Sequence, residues 1–354
     1  MKRYLTGALG TSLALGALAV GLFTAAPATH SIAADAATPA PFDKPGAKLA
    51  LISYLSEGDF FQAYEAGAKA QAKALGVDLR VFEGRQNADE QRSQIEQAIN
   101  LGVKGIIINH GQPEALKDVA QKALDAGIKV VAFDVDIGNP KIPQIEQSDH
   151  DLANLALGQV LKDNGDKFAA GYVYVAGFAP LDRRNEVWQQ FKKDHAGVAE
   201  KAQWGAVDAT TAKTVADQTA AVFKAHPDIS VVFAPYDEFA RGVKLAADEG
   251  KFGGKIKIYS ADISTADIEA IRADGSPWVA TAATNPAVVG QVSVRALALS
   301  VAGQDPGHDV IVKPALITHD ILVKNDIKTV EDLSAKFPAF NASDAVQVSW
   351  IPKI

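Results

Sequence analysis

Carboxylates, amides, hydroxyls and aromatic rings recur in this chain directly after short apolar runs. Phe60 and Phe61 follow the run KLALIS, Asn109 ends GIIIN, and Asp134 and Asp136 follow KVVAF. Tyr236 and Asp237 stand just past VVFA, and Asp262 stands just past IYSA. Carboxylates and amides accept and donate several hydrogen bonds to vicinal hydroxyls, while aromatic faces cover the C–H faces of a sugar ring or another apolar ligand surface. These residue types form a kit for binding a polyol. They include no general base beside a matched nucleophile. The chain has no G-x-S-x-G, G-x-G-x-x-G, phosphate loop or H-E-x-x-H, so no catalytic residue and no enzyme activity are expected. The seven histidines lack metal-ligand spacing. Asp134-Val-Asp-Ile-Gly138 begins like a calcium loop, but Ile145 stands at position twelve, where a glutamate would be needed. With no cysteine there is no disulfide, thiolate zinc site or iron–sulfur cluster. No metal and no cofactor are expected.

The strings that carry these residues alternate with helical segments. Strands are expected at 48–53, 79–82, 105–109, 129–133, 171–175, 229–234, 256–260 and 278–281. Helices are expected at 61–76, 87–101, 113–127, 149–164, 183–194, 210–225, 238–249, 265–273 and 286–303. Near-continuous apolar strands separated by helices of this length indicate parallel sheets covered on both faces. At roughly 150 residues per domain, 354 residues make about two domains. The fold class is therefore α/β, with two doubly wound parallel-sheet lobes. In such sheets ligands bind beyond the carboxyl ends of the strands, which is where the polar and aromatic candidates stand. A net charge of −7 argues against nucleic acid as a partner.

The N-terminal segment has a different character. Lys2 and Arg3 are the only charges before Asp35, and Leu13 to Phe23 is an uninterrupted apolar run. That length suits a secretory signal and is short of the about 20 residues that span a bilayer. Small residues at Ala26-Pro-Ala28, Ser31-Ile-Ala33 and Ala34-Asp-Ala36 offer cleavage sites. A signal peptide over 1–33 is expected, with an uncleaved anchor as the competing reading. Its removal would take two positive charges from a chain of net −7, leaving −9. Without a cysteine the product cannot be lipidated, so it would be free in the periplasm.

In their order and spacing, the strings LISYLSEGDFF, GIIINHG, VVAFDVD, VFAPYDEFARG and IYSAD resemble the periplasmic type I sugar-binding proteins, the ribose-binding members in particular. The resemblance spans about residues 48–318. It implies a three-strand hinge between an N-terminal lobe (48–147 plus 285–316) and a C-terminal lobe (148–284 plus 317–354). The crossings are expected near Ser148-Asp149, Thr284-Asn285 and Ala315–Thr318. It implies capture of a monosaccharide or related polyol between the lobes and delivery to the inner-membrane permease of an ABC importer, by a protein expected to be a monomer. The alternative is a sensory protein that presents its ligand to a chemoreceptor or sensor kinase. LacI-type repressors share the fold but begin with a helix-turn-helix, where this chain has its apolar leader.

Carried over position by position, the resemblance implies ligand contacts from Phe60, Phe61, Asn109, Asp134, Asp136, Arg184, Tyr236, Asp237, Asp262 and Thr284, with Phe61 as ring stacker. The chain also departs from the family pattern. The arginine expected after Asp134 is Val135, and Asp136 partly takes its place. Tyr236 replaces an asparagine, Ala261 an aromatic and Thr284 a glutamine. These changes enlarge one end of the pocket and make it more acidic. They leave a pentose, hexose, deoxysugar, inositol, autoinducer-2 or amino-bearing ligand open. The stretch 319–354 runs past the ribose-binding relatives, with Thr329 as a helix cap, and is expected to wrap a lobe or modify the permease face.

Overall fold

The computed structural model describes residues 37–252, 254–341 and 344–354. The expected signal peptide over 1–33 lies outside these residues. Apolar runs in the first half form β1 (Lys48–Ser53), β2 (Asp78–Phe82), β3 (Gly105–Asn109), β4 (Lys129–Phe133) and β5 (Gln144–Glu146). Between them lie α1 (Asp59–Ala74), α2 (Ala88–Asn100) and α3 (Pro113–Asp125). The helix starts are written locally. Asn87 Oδ1 accepts the backbone N–H groups of Asp89 and Glu90 at the head of α2, and Pro113 opens α3, where its missing N–H costs nothing.

The second half continues with α4 (Asp149–Asn164), β6 (Phe168–Val173), α5 (Ala179–Asp194), β7 (Val198–Trp204) and α6 (Thr211–Ala225). Then come β8 (Val231–Ala234), α7 (Asp237–Glu249), β9 (Lys257–Ala261), α8 (Thr265–Arg272) and β10 (Trp278–Ala283). The chain closes with α9 (Pro286–Val301), β11 (Asp309–Ile311), β12 (Ala315–Thr318), α10 (His319–Lys324) and α11 (Val330–Lys336).

Two six-stranded sheets result. The first has the order β11-β5-β4-β3-β1-β2 and is parallel throughout. The second has the order β12-β10-β9-β8-β6-β7 and is parallel except for β12, which runs against β10. Each sheet buries both faces. In β1, Leu49 and Leu51 face a cluster with α1 and α9, while Ala50 and Ile52 face a cluster with α2 and α3, the two-residue period of a strand covered on both sides. Helices α1 and α9 can touch only because of two glycines. A Cβ on Gly67 would lie 1.9 Å from the Ala287 carbonyl oxygen, and one on Gly290 would lie 2.0 Å from that of Tyr64.

Among the described residues the chain passes from one sheet to the other three times, besides the return of the tail. The first passage, at 147–148, links β5 to α4, and the second, at 284–285, links β10 to α9. The third differs from the expected Ala315–Thr318. Those residues are β12 and pair with β10, so the crossing is 312–314 and Ala315 and Leu316 belong to the second lobe. The tail also departs from its expected place. Leu322, Ile327, Leu333 and Phe340 join the core of the second lobe, but Trp350 and Ile351 join that of the first. The Trp350 ring stacks on Phe42 at 5.5 Å and its Nε1 donates to Gln304 Oε1 at 3.0 Å. An indole with both a ring partner and an acceptor draws the chain end back across to the first lobe.

Candidate functional site

The carboxyl ends of the two sheets face a common crevice. Four of the eight described non-glycine residues with positive φ stand at its strand ends or first crossing: His110 (56°), Asp134 (51°), Ser148 (53°) and Asp262 (73°). A positive φ is uncommon outside glycine, and such strain gathers where the surroundings hold a side chain to a task.

Arg184 lies deepest. Trp188, one turn further along α5, is fully buried against Tyr172 and donates to Glu200 Oε2 at 2.7 Å. That packing fixes the helix face on which Arg184 also lies. The guanidinium, 2% exposed, donates from Nε to Asp149 Oδ1 (2.8 Å) and from Nη1 to the Pro235 carbonyl (2.7 Å). It also grips Asp262 from Nη1 (2.9 Å) and Nη2 (3.4 Å). Burial pushes the Asp262 carboxyl up from its ordinary range, and Arg184 pulls it back. Asp182, two residues before Arg184 on α5, accepts from the Tyr174 hydroxyl and the Gly177 N–H.

From the first lobe come Phe60 and Phe61, in edge-to-face contact at 5.3 Å on the first turn of α1. Asn109 ends β3 and gives its amide N–H to Ser53 Oγ. Its oxygen therefore accepts from His110 Nδ1, 2.7 Å away, leaving His110 Nε2 as an acceptor. Burial lowers the His110 pKa to about 3, so the ring is neutral. The ring meets Phe61 edge to face at 5.3 Å and, with Gln147 and Asp262, lines the cavity. Asp134 is buried behind His110. Its Oδ2 accepts from Gln147 Nε2 at 3.4 Å, and its Oδ1 has no hydrogen-bond partner. Burial, then the charge of Asp149, drives its carboxyl well above the ordinary range.

Not every expected residue reaches the crevice. Asp136 is exposed, and its Oδ1 accepts the Gly138 N–H at 2.7 Å. The kink at Asp134 sends Val135 and Ile137 into the core, and alternation then turns Asp136 to solvent. Asp136 therefore does not replace the missing arginine. Arg183 approaches Asp134 instead, from the other lobe, at 3.6 Å. Thr284 is buried, but it serves Gln147, donating to its Oε1 at 2.5 Å. Asp237 is buried at the head of α7, its carboxyl raised by burial and by Asp267, and does not line the cavity. Tyr236 does line it, edge-on to Phe239.

Sequence reasoning missed His110, Gln147, Asp149 and Arg183, and an apolar wall of Leu55, Phe178, Pro180, Leu181 and Val207. Two of these directly follow strand ends, His110 after β3 and Gln147 after β5; the signal was in view for His110, and would have found Gln147 had the three-residue β5 been recognised. The cavity encloses about 460 Å³ free of protein atoms, part of it open to solvent. Its polarity follows sheet order. In the first sheet β5 and β3 carry Gln147 and His110, with Asp134 of β4 behind them, and the next strand, β1, carries Leu55 and the phenylalanines. In the second, β9 and β8 carry Asp262 and Tyr236, with Thr284 of β10 behind Gln147, and β6 and β7 carry Phe178, Leu181 and Val207, with Arg184 reaching Asp262 from α5. The hinge side carries hydrogen-bonding groups and the far side is apolar.

Comparison with known proteins agrees with this architecture. A family model described as a periplasmic binding protein domain matches residues 49–305. The ribose import binding protein RbsB of Bacillus subtilis (strain 168) is 25% identical over 239 residues, 67% of this chain and 76% of that protein. A 5-methylthioribose transporter solute-binding protein from Thermotoga lettingae, solved with 5-methylthioribose, is 37% identical with a TM-score of 0.84, covering 86% of this chain and 97% of that one. A sugar ABC transporter structure from Yersinia enterocolitica is 28% identical with a TM-score of 0.82, covering 87% and 94%.

Proposed function

Because the chain belongs to the periplasmic binding protein family of sugar ABC transporters, we propose that it captures a pentose bearing a small apolar substituent and delivers it to an importer permease. The observation that carries this reading is the polarity gradient across the cavity. Asp262, Arg184, Gln147 and neutral His110 offer both donors and acceptors to ring hydroxyls on the hinge side. The wall of Leu55, Phe178, Leu181 and Val207 offers none. A terminal hydroxyl pressed there would lose its water without gaining a partner, whereas a thioether or alkyl group would gain by burial. The ligand of the Thermotoga lettingae protein, 5-methylthioribose, has that shape. Phe61 covers a ring face. Ligand bridges the lobes, and the bridged form is what a permease reads.

A thermal-shift screen of the purified protein against D-ribose, D-allose, D-xylose and 5-methylthioribose tests the reading. At 100 times its dissociation constant a ligand adds about 2.7 kcal/mol. 5-Methylthioribose is expected to raise the midpoint most. Absence of any shift with these sugars would sink the sugar assignment, and a larger shift with D-ribose would sink the apolar-substituent assignment alone.

A further inference from the structure

Two consecutive arginines leave α5 in different directions, and one buried carboxylate holds both. Asp149 Oδ1 takes Arg184, which lines the cavity; Asp149 Oδ2 takes Arg183 Nη1 at 2.6 Å. Arg183 does not line the cavity. Its Nη1 lies 3.0 Å from Glu146 Oε2 and 3.6 Å from Asp134 Oδ1. Glu146 and Asp134 belong to the first lobe, and Asp149 and Arg183 to the second. Glu146 and Asp149 also flank the first crossing, with only Gln147 and Ser148 between them. One guanidinium therefore ties the two ends of a hinge strand together.

We propose that Arg183 is a positioning residue that clamps this crossing, biases the lobes toward closure and so raises ligand affinity without touching the ligand. Opening must change the backbone angles of Gln147 and Ser148, which moves Glu146 away from Asp149 and strips Asp134 of the cation beside it. The Arg183 side chain is 18% exposed, Glu146 21%, and the carboxylates of Asp134 and Asp149 are fully buried. In that setting a charge pair is weakly screened, and removing one partner leaves the others buried and unpaired. Another interlobe pair among the described residues, Arg241 with Asp59 at 3.1 Å, is weaker by the same measure. Asp59 is 47% exposed, and Arg241 keeps Asp267 and Ser264 as partners when that contact opens. An affinity that depends on a partly populated closed form falls in proportion to that population. The clamp thus sets affinity through the hinge, while the cavity sets which sugar enters.

The inference rests on the two-lobed binding-protein reading but not on the identity of the sugar, and its test separates the two. The chain has no cysteine, so Leu101→Cys on the first lobe and Leu245→Cys on the second, both exposed, give a clean pair for single-molecule energy transfer. In ligand-free protein Arg183→Met is expected to shift the distribution toward low transfer, Glu146→Gln to shift it the same way by less, and Arg241→Met to leave it nearly unchanged. Affinity for 5-methylthioribose is expected to fall about tenfold in Arg183→Met, and the ranking among sugars to stay as in the parent. Identical ligand-free distributions in the parent, Arg183→Met and Glu146→Gln would overturn the clamp, whether or not any sugar binds. A changed sugar ranking in Arg183→Met would overturn it as well, because that would mean direct contact. Should Arg183→Met fail to fold, Glu146→Gln, at a partly exposed site, carries the test alone.

Discussion

Replacing Phe178 with serine separates the apolar wall from the rest of the site. Phe178 is half-buried, lines the cavity and occupies the N-cap position of α5 with extended backbone angles and no side-chain cap bond. Serine is among the best N-cap residues, so Phe178→Ser keeps a reason for α5 to begin there while removing the ring. In the parent protein, burying the methylthio group of 5-methylthioribose removes about 70 Å² of apolar surface from water, worth about 2 kcal/mol at about 25 cal/mol per Å². D-Ribose puts a hydroxyl against the same wall and loses about 1–3 kcal/mol for an unpaired polar group. The difference, about 3–5 kcal/mol, is a preference of about two to three and a half decades at about 1.4 kcal/mol per decade. Without the ring, about 1 kcal/mol of apolar burial is lost. Water or the new hydroxyl then satisfies the ribose hydroxyl, recovering about 1 kcal/mol more. The preference for 5-methylthioribose over D-ribose should therefore fall about thirtyfold, about equally through weaker binding of the first and tighter binding of the second. Isothermal titration of both sugars into both proteins closes the cycle. A ratio unchanged within twofold would place the substituent elsewhere and refute the wall as its binding surface.

Three further outcomes follow from the same contacts. His110 charges at pH 6.5 when unfolded but only near pH 3 when folded, so it stabilises the fold above pH 6.5 and that stability is lost as pH falls. Between pH 8 and 5 the loss is about 2 kcal/mol. His110→Asn, a residue tolerant of positive φ, should remove that acid-side fall from the denaturation profile. The buried carboxyls of Asp134, Asp237 and Asp262 act oppositely: their raised folded pKa values favour the fold at low pH and lose that effect as pH rises through them. A variant profile as steep as the parent's would show that His110 is not the source. Asp262→Asn keeps the shape but loses the charge that Arg184 grips; ligand-induced thermal shift should vanish and stability drop by about 2 kcal/mol, and a persisting shift would mean the cavity is not the binding site. Trp350→Ala empties an indole site in the first lobe and should cost about 3–5 kcal/mol in urea unfolding; an effect under 1 kcal/mol would mean the tail is not part of that core.

What could be read ahead of the structure depended on how local the determining physics is. Strands such as β3 and β8 are continuous apolar runs because both faces are covered, and caps such as Asn87 and Ser264 mark where some of the helices begin. Their alternation is visible in single windows of sequence. The three-residue β5 and β11 hold less than one turn of any periodic pattern. Edge strand β7, with alternate residues exposed, carries only part of the apolar signal. The same division runs through the site. Asp262 and Arg184 were legible because a strand end and a helix face position them. Asp136 was misread because one residue of alternation, imposed by the kink at Asp134, decides between cavity and solvent. The identity of the amide in the hinge lay furthest from sight. Thr284 stands on the second crossing and Gln147 on the first, 137 residues apart. Only when both strands lie side by side does the threonine become the donor that aims the glutamine into the cavity. A cation beside Asp134 was sought on the next residue of its own strand and is supplied by Arg183 from the opposite lobe. Moving the cation across the lobe boundary keeps a positive charge beside Asp134 while changing what it joins: an arginine on the strand of Asp134 would belong to the same lobe as that carboxylate, whereas Arg183 on α5 reaches it from the opposite lobe.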